Sequence, residues 1–348
     1  MNPYILTLLL LGLGLGTTIT FASSHWLLAW MGLEMNTLAI LPLMTQHHHP
    51  RAVEATTKYF LTQATAAAML LFASITNAWI TGQWDIQQMT HPIPNTIITL
   101  ALALKIGLAP IHAWLPEVLQ GLDLTTGLIL STWQKLAPLA LLLQMQPTNS
   151  TLIITMGIAS TLVGGWGGMN QTQLRKILAY SSIAHLGWMI LILQFSPSLT
   201  LLTLLTYLIM TTSMFLTFKL NKATNMNTLS ISWTKTPTLT AVTPLVLLSL
   251  GGLPPLTGFM PKWLILQELT KQNLAPMATL AALTALLSLY FYLRISYAMT
   301  LTMYPNNLTG ITPWRLIPVQ PTMLLTLTTT ITLLMLPLTP TMITLLMP

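Results

Sequence analysis

Hydrophobic positions run in blocks of roughly twenty residues, the length an α-helix needs to cross the hydrocarbon core of a bilayer. They fall near 3–22, 26–45, 58–80, 95–116, 122–143, 150–169, 176–194, 198–218, 238–268, 274–298 and 322–345. Period-two alternation is absent, so a membrane β-barrel is not expected. The pattern predicts an all-α, polytopic membrane protein of about eleven transmembrane helices. The connections leave no room for a soluble domain. Two blocks are punctuated. Gly107 and Pro110 interrupt one, and Gly251, Gly252, Pro254 and Pro255 the other. Proline lacks an N–H and disrupts the turn before it. Both blocks are therefore expected to be broken helices with freed carbonyls at Pro110 and Pro255.

Composition agrees. Only 5% of the 348 residues are charged, against roughly 25% in a soluble domain, so lipid must be most of the solvent. The net charge of +7 does not indicate nucleic acid, because the basic residues stand singly between apolar blocks. With no cysteine, disulfides and iron–sulfur clusters on this chain's own thiolates are excluded. The opening MNPYILTLLLL has neither a basic region nor an Arg-rich amphipathic stretch, so the first block reads as a mature helix rather than a cleaved leader. Gly12, Gly14 and Gly16 lie inside a span with no strand before them, which rules out a dinucleotide fingerprint. Gly12, Gly16 and the Gly164–Gly168 cluster are expected to admit neighbouring helices. No hydrolytic triad, phosphate-binding loop or haem site is evident.

Basic residues sort by side. Connections on the N-terminal side hold Arg51, Lys58, Arg175, Lys176, Lys219, Lys222, Lys235, Arg294 and Arg315, and the opposite side holds only Lys271. This asymmetry places the N-terminus on the cytoplasm-like side and, with an odd helix count, the C-terminal Pro348 on the other. Residues 107–116, GLAPIHAWLP, resemble 252–261, GLPPLTGFMP, at an offset of 145. Five spans separate the copies, so they have opposite topology, as in the inverted repeats of transporters. The repeat divides the chain into units 1–145 and 146–300, followed by a loop and final helix at 301–348. Two Pro-kinked helices of similar composition would give the same match without a repeat.

The charges left inside the blocks carry the candidate chemistry. Glu34 sits in the middle of WLLAWMGLEMNTLAILPL. A charge at the bilayer centre costs roughly 2.5–3.5 kcal/mol even on insertion scales, and such residues are functional by default. Lys105, Lys135 and Lys262 also lie within apolar blocks. Burial and a nearby carboxylate act oppositely on a lysine's affinity for its proton, which suits such residues to gaining and releasing one. Static ion pairs would need three buried acids, and only Glu34 is clearly available. His112 and His185 suit a proton relay or, equally, hydrogen-bonded packing. The tract His47, His48 and His49 reads as a solvated loop rather than a metal site. Glu117 and Asp123 are placed in a short loop, Asp123 as a helix N-cap.

LALALKIGLAPIHAWLPEV resembles a signature of the antiporter-like membrane subunits of proton-pumping NADH:ubiquinone oxidoreductase, respiratory complex I. LRKILAYSSIAHLGWMI and GGLPPLTGFMPKW resemble two more, and WMGLEMNTLAILPL is similar to a mitochondrially encoded member. The resemblance covers essentially the whole chain. It implies that Glu34 and Lys105 form an acid–lysine pair on neighbouring helices, with Lys135 as the central lysine. It also implies that Lys262 lies toward the exit side, and that His112 and His185 belong to a polar axis. It further implies a mitochondrial inner-membrane location with the basic side facing the matrix, and other complex I membrane subunits and phospholipid as partners. Flavin, iron–sulfur centres and ubiquinone would be held by those partners, with no cofactor or metal on this chain. The chain departs from the family in lacking its first three helices and an obvious second-unit equivalent of Glu34. Proton pumping, simple relay of charge, a stand-alone cation/proton antiporter and a structural spacer all remain open at this point.

Overall fold

A computed structural model describes residues 2–46, 48–89, 91–145, 148–234, 236–301 and 322–346. His47, Lys235, Arg315 and Pro348 lie outside them. All regular structure among the described residues is helical, with two isolated β-bridges and no strand. The chain forms two compact units, Met1–Ala159 and Ser160–Pro348.

The first unit contains α1 (Pro3–Ala22), α2 (Trp26–Met44), α3 (Pro50–Thr81), α4 (Pro92–Ile106), α5 (Trp114–Gly121), α6 (Leu124–Met145) and the first half of α7 (Ser150–Met169). Asn2 and His49 cap α1 and α3 by accepting from the backbone N–H groups of Tyr4 and Arg51. Helix α1 crosses α2 where Gly16 faces Gly32. A Cβ at Gly16 would stand 2.4 Å from Asn36 Oδ1, and one at Gly32 2.8 Å from the Gly16 carbonyl oxygen. The approach expected at Gly16 is therefore present, whereas Gly14 faces open space.

The second unit continues α7 and adds α8 (Leu174–Ile192), α9 (Pro197–Asn221), α10 (Met226–Ser230), α11 (Pro237–Gly251), α12 (Phe259–Lys271), α13 (Ala275–Thr300), α14 (Met323–Leu334) and α15 (Thr339–Leu346). Helix α8 is buried along nearly its whole length and packs against α9, α12 and α13. The glycine cluster admits neighbours as expected. Gly164 lies against the Ala184 backbone, Gly165 against Leu287, Gly167 against the Tyr180 ring and Gly168 against Phe291. The abundant threonines mostly turn their hydroxyls back onto their own helix, as in Thr203 to the Thr200 carbonyl at 2.8 Å. An apolar solvent leaves them few other acceptors.

Each predicted block coincides with a helix or a pair of helices. Among the described residues, seven helices are long and apolar enough to span a membrane, and Met323–Leu334 with Leu336–Leu345, bent by 69°, makes an eighth if the pair is one span. The other three blocks are the two broken ones and α8, which carries Arg175, Lys176 and His185. Eleven therefore remains an expectation that rests on interrupted or polar segments. Several placements differ from the sequence reading, because the helices run past the apolar blocks. Arg51 and Lys58 lie within α3, which begins at Pro50, Arg175 and Lys176 within α8, Lys219 within α9, Lys271 within α12, Arg294 within α13 and Glu117 within α5, rather than in connections.

Glycine packing gives a paired test. Alanine favours a helix over glycine by about 1 kcal/mol, so Gly14→Ala should leave stability unchanged or raised. Gly164→Ala places a methyl 2.6 Å from a backbone nitrogen and should destabilise by about 1–3 kcal/mol, the usual range for overpacking. Thermal unfolding of the assembled protein in detergent reads both; equal behaviour of the two variants contradicts the packing.

Candidate functional site

Helix α4 ends because Gly107 adopts φ +88°, where a side chain is strained. The N–H groups of Gly107 and Leu108 both donate to the Ala103 carbonyl, at 2.9 and 3.0 Å. That closure leaves the next two carbonyls, Leu104 and Lys105, without helical donors. Two side chains replace them. Trp114 Nε1 donates to the Leu104 carbonyl at 3.0 Å, and Gln63 Nε2 to the Lys105 carbonyl at 3.5 Å. The second break repeats this closure 145 residues later. Gly252 has φ +82°, and the N–H groups of Gly252 and Leu253 donate to the Leu248 carbonyl at 3.1 and 3.3 Å. Here a lysine supplies the extra donor, Lys262 Nζ to the Gly251 carbonyl at 2.8 Å. A cation at a helix C-terminus is favoured by the helix dipole.

In the first unit, Lys105 and Lys135 line one narrow cavity with Asn36, Thr37, Tyr59, Gln63, Trp114 and Gln134. Its room for the centre of a water molecule is about 10 Å³, on the threshold for holding one. Lys105 and Lys135 are 6% and 3% exposed. Half-buried Glu34 accepts from Thr37 Oγ1 at 3.1 Å. Lys105 Nζ makes no hydrogen bond, so it is not in contact with the Glu34 carboxylate. The structure thus brings Lys105 and Lys135 together on one cavity, which Glu34 does not line.

In the second unit, His185 and Lys262 line another narrow cavity with Thr203, Thr206, Met210 and Gly258. The His185 ring stands 5.6 Å from that of Tyr207. His112 lies inside the first break, with Nδ1 3.2 Å from the Pro110 carbonyl, and does not line the first cavity. Glu117 pairs with Lys58 at 2.8 Å, and Lys58 also reaches Glu54 at 2.8 Å. Asp123 occupies the N-cap position of α6, its carbonyl accepting from the Gly127 N–H at 2.8 Å. Among the described residues no group of three metal-binding side chains occurs.

Sequence reasoning passed over Asn36, Tyr59, Gln63, Trp114 and Gln134 because it followed acidic, lysine and histidine side chains only. A signal was present: Asn36, Gln63 and Gln134 are amides inside apolar blocks, where an unpaired polar group is costly. Nothing in the sequence marked Trp114 as a donor across the break.

Residues 23–288 match the family described as "NADH:quinone oxidoreductase/Mrp antiporter, TM", and 289–343 match "NADH dehydrogenase subunit 2 C-terminus". NADH-ubiquinone oxidoreductase chain 2 of Tetraodon nigroviridis is 76% identical over 345 residues, covering 99% of each chain. The chain belongs to the NADH-ubiquinone oxidoreductase chain 2 family. Another member of that family, from Salmo salar, is 72% identical over 347 residues, with 99% of each chain covered. Among solved structures, a chain of respiratory complex I from Thermus thermophilus with bound Aureothin is 27% identical. It matches with a TM-score of 0.87 over 99% of this chain and 80% of its own length. A chain of the Mrp complex from Dietzia sp. DQ12-45-1b, 18% identical, shares the fold at a TM-score of 0.73 over 84% of this chain and 60% of that one. Chain 2 family membership thus carries a polytopic membrane fold, as the hydrophobic blocks predicted, and an antiporter-like one, as the resemblance implied.

Proposed function

We propose that this chain is a core membrane-arm subunit of proton-pumping NADH:ubiquinone oxidoreductase. In this reading it carries or relays protons through Glu34, Lys105, Lys135 and Lys262, with His112 and His185 as relay groups. The observation that carries the proposal is a pair of buried lysines on one narrow polar cavity beside a broken helix, in a chain of this family. Its neighbours are other membrane subunits of the complex and phospholipid. Flavin, iron–sulfur centres and ubiquinone belong to partner subunits, so the redox step happens elsewhere and reaches this chain as a mechanical or electrostatic bias. A stand-alone antiporter is disfavoured by 76% identity over nearly full length to an oxidoreductase chain.

An opposite charge nearby favours a group's charged state, and dry apolar surroundings disfavour it. A change in the Glu34–Lys105 separation therefore drives proton binding and release. Moving one charge across the membrane requires about 2.3 kcal/mol per 100 mV, which is within reach of such a change, since one pKa unit is worth about 1.4 kcal/mol.

The location that follows is the mitochondrial inner membrane, with the N-terminus in the matrix and the C-terminus in the intermembrane space. The connections at 170–173 and 222–225 should then be labelled in inside-out vesicles and protected in right-side-out ones. The reverse pattern rejects this orientation.

Lys105→Met keeps length and apolarity while removing the titrating group. In the assembled complex it should preserve electron transfer to artificial acceptors and lower coupled ubiquinone reduction, or its proton yield, several-fold. Glu34→Gln should act in the same direction, with a double variant clearly less than additive, because both remove one unit. Full pumping in both single variants would leave no case for the pair.

A further inference from the structure

We infer that Trp114 and Gln63 are positioning residues for Lys105: they hold the two backbone carbonyls on which that lysine's placement depends. The inference rests on the reading of Lys105 as a proton-carrying group.

The carbonyls of Leu104 and Lys105 are the ones that the closure at Gly107 deprives of helical donors. Both are deep in the protein, where an unpaired carbonyl is costly because water is excluded. Each finds a substitute donor from a different helix, Trp114 from α5 and Gln63 from α3. Both side chains are buried, at 9% and 4% exposure, and both line the cavity that contains Lys105. The two bonds therefore fasten the last turn of α4, which carries Lys105, to α5 across the break and to the preceding helix α3.

The surroundings fix the donors in turn. The Trp114 ring meets the Tyr59 ring at 5.8 Å with the planes tilted by 59°, so the indole is oriented by α3 as well as by its own helix. Gly107 lies directly under it, since a Cβ there would stand 2.9 Å from Leu115 and 3.4 Å from the indole itself. The Gln63 bond is long at 3.5 Å and so is the weaker of the two. It is the one that yields first if α3 and α4 shift. Lys105 Nζ, by contrast, is buried and makes no hydrogen bond. Its position is thus set by its backbone, and its backbone by Trp114 and Gln63.

Trp114→Phe keeps an aromatic ring beside Tyr59 and deletes the indole N–H, together with part of the ring's bulk. Gln63→Met keeps length and deletes the amide. Each is made alone and on top of Lys105→Met in the assembled complex, and protons translocated per electron are measured beside electron transfer to an artificial acceptor. The expected result is a several-fold loss of coupled turnover in each single variant, with normal acceptor activity. No further loss is expected on top of Lys105→Met, because the donors act through that lysine. Losses that add to those of Lys105→Met overturn the inference and assign both residues to packing. Wild-type coupling in both donor variants, with Lys105→Met impaired, overturns it while leaving the reading of Lys105 intact. Wild-type coupling in Lys105→Met defeats that reading itself. If Trp114→Phe fails to assemble, Gln63→Met decides by the same comparisons.

Discussion

The structure depends on one constraint. A bilayer interior offers no water to satisfy a backbone group, so every carbonyl released from a helix must find a donor within the protein. Two helices of this chain nevertheless stop inside their apolar blocks, at Gly107 and Gly252. The released carbonyls are taken up by an indole, an amide and an ammonium. Those three donors explain why polar side chains gather at the breaks. The breaks in turn explain why lysines can be accommodated there at all.

The two breaks solve the same problem differently. The backbone closure is shared to the residue, Ala103 corresponding to Leu248, Gly107 to Gly252 and Leu108 to Leu253. In the first unit neutral donors satisfy the carbonyls, and Lys105 Nζ is left without a hydrogen bond. In the second the lysine is itself the donor. Lys262 stands on α12, after the break, whereas Lys105 stands on α4, before it. A lysine engaged with a helix terminus and a lysine free of such engagement differ in what they require in order to release a proton. The same supersecondary device therefore holds a lysine in two different ways.

Much of this was readable from the residues. Apolar block lengths placed the helices, and Gly107, Pro110, Gly251 and Gly252 announced the breaks. Gly16 and the Gly164–Gly168 cluster announced close helix packing. The charges inside apolar blocks led to two cavities, Lys105 and Lys135 to the first and Lys262 to the second, while half-buried Glu34 lines neither. The sequence did not reveal the donors. Trp114 comes from the far side of its break and Gln63 from the preceding helix, 42 residues from the carbonyl it meets. Such pairings are tertiary, and no periodicity encodes them. Lys58 was assigned to a connection because its apolar block starts there. The helix actually begins eight residues earlier, at Pro50, with His49 as its cap.

The central claim is that Lys105 works by changing its relation to Glu34. The most direct measurement is the separation of the Glu34 carboxylate from the Lys105 ammonium, determined by high-resolution electron cryomicroscopy of the assembled complex both at rest and during turnover. The account predicts two populated arrangements, one with the groups apart, as in the structure described here, and one with them in direct contact. A single unchanged separation in both conditions would contradict it.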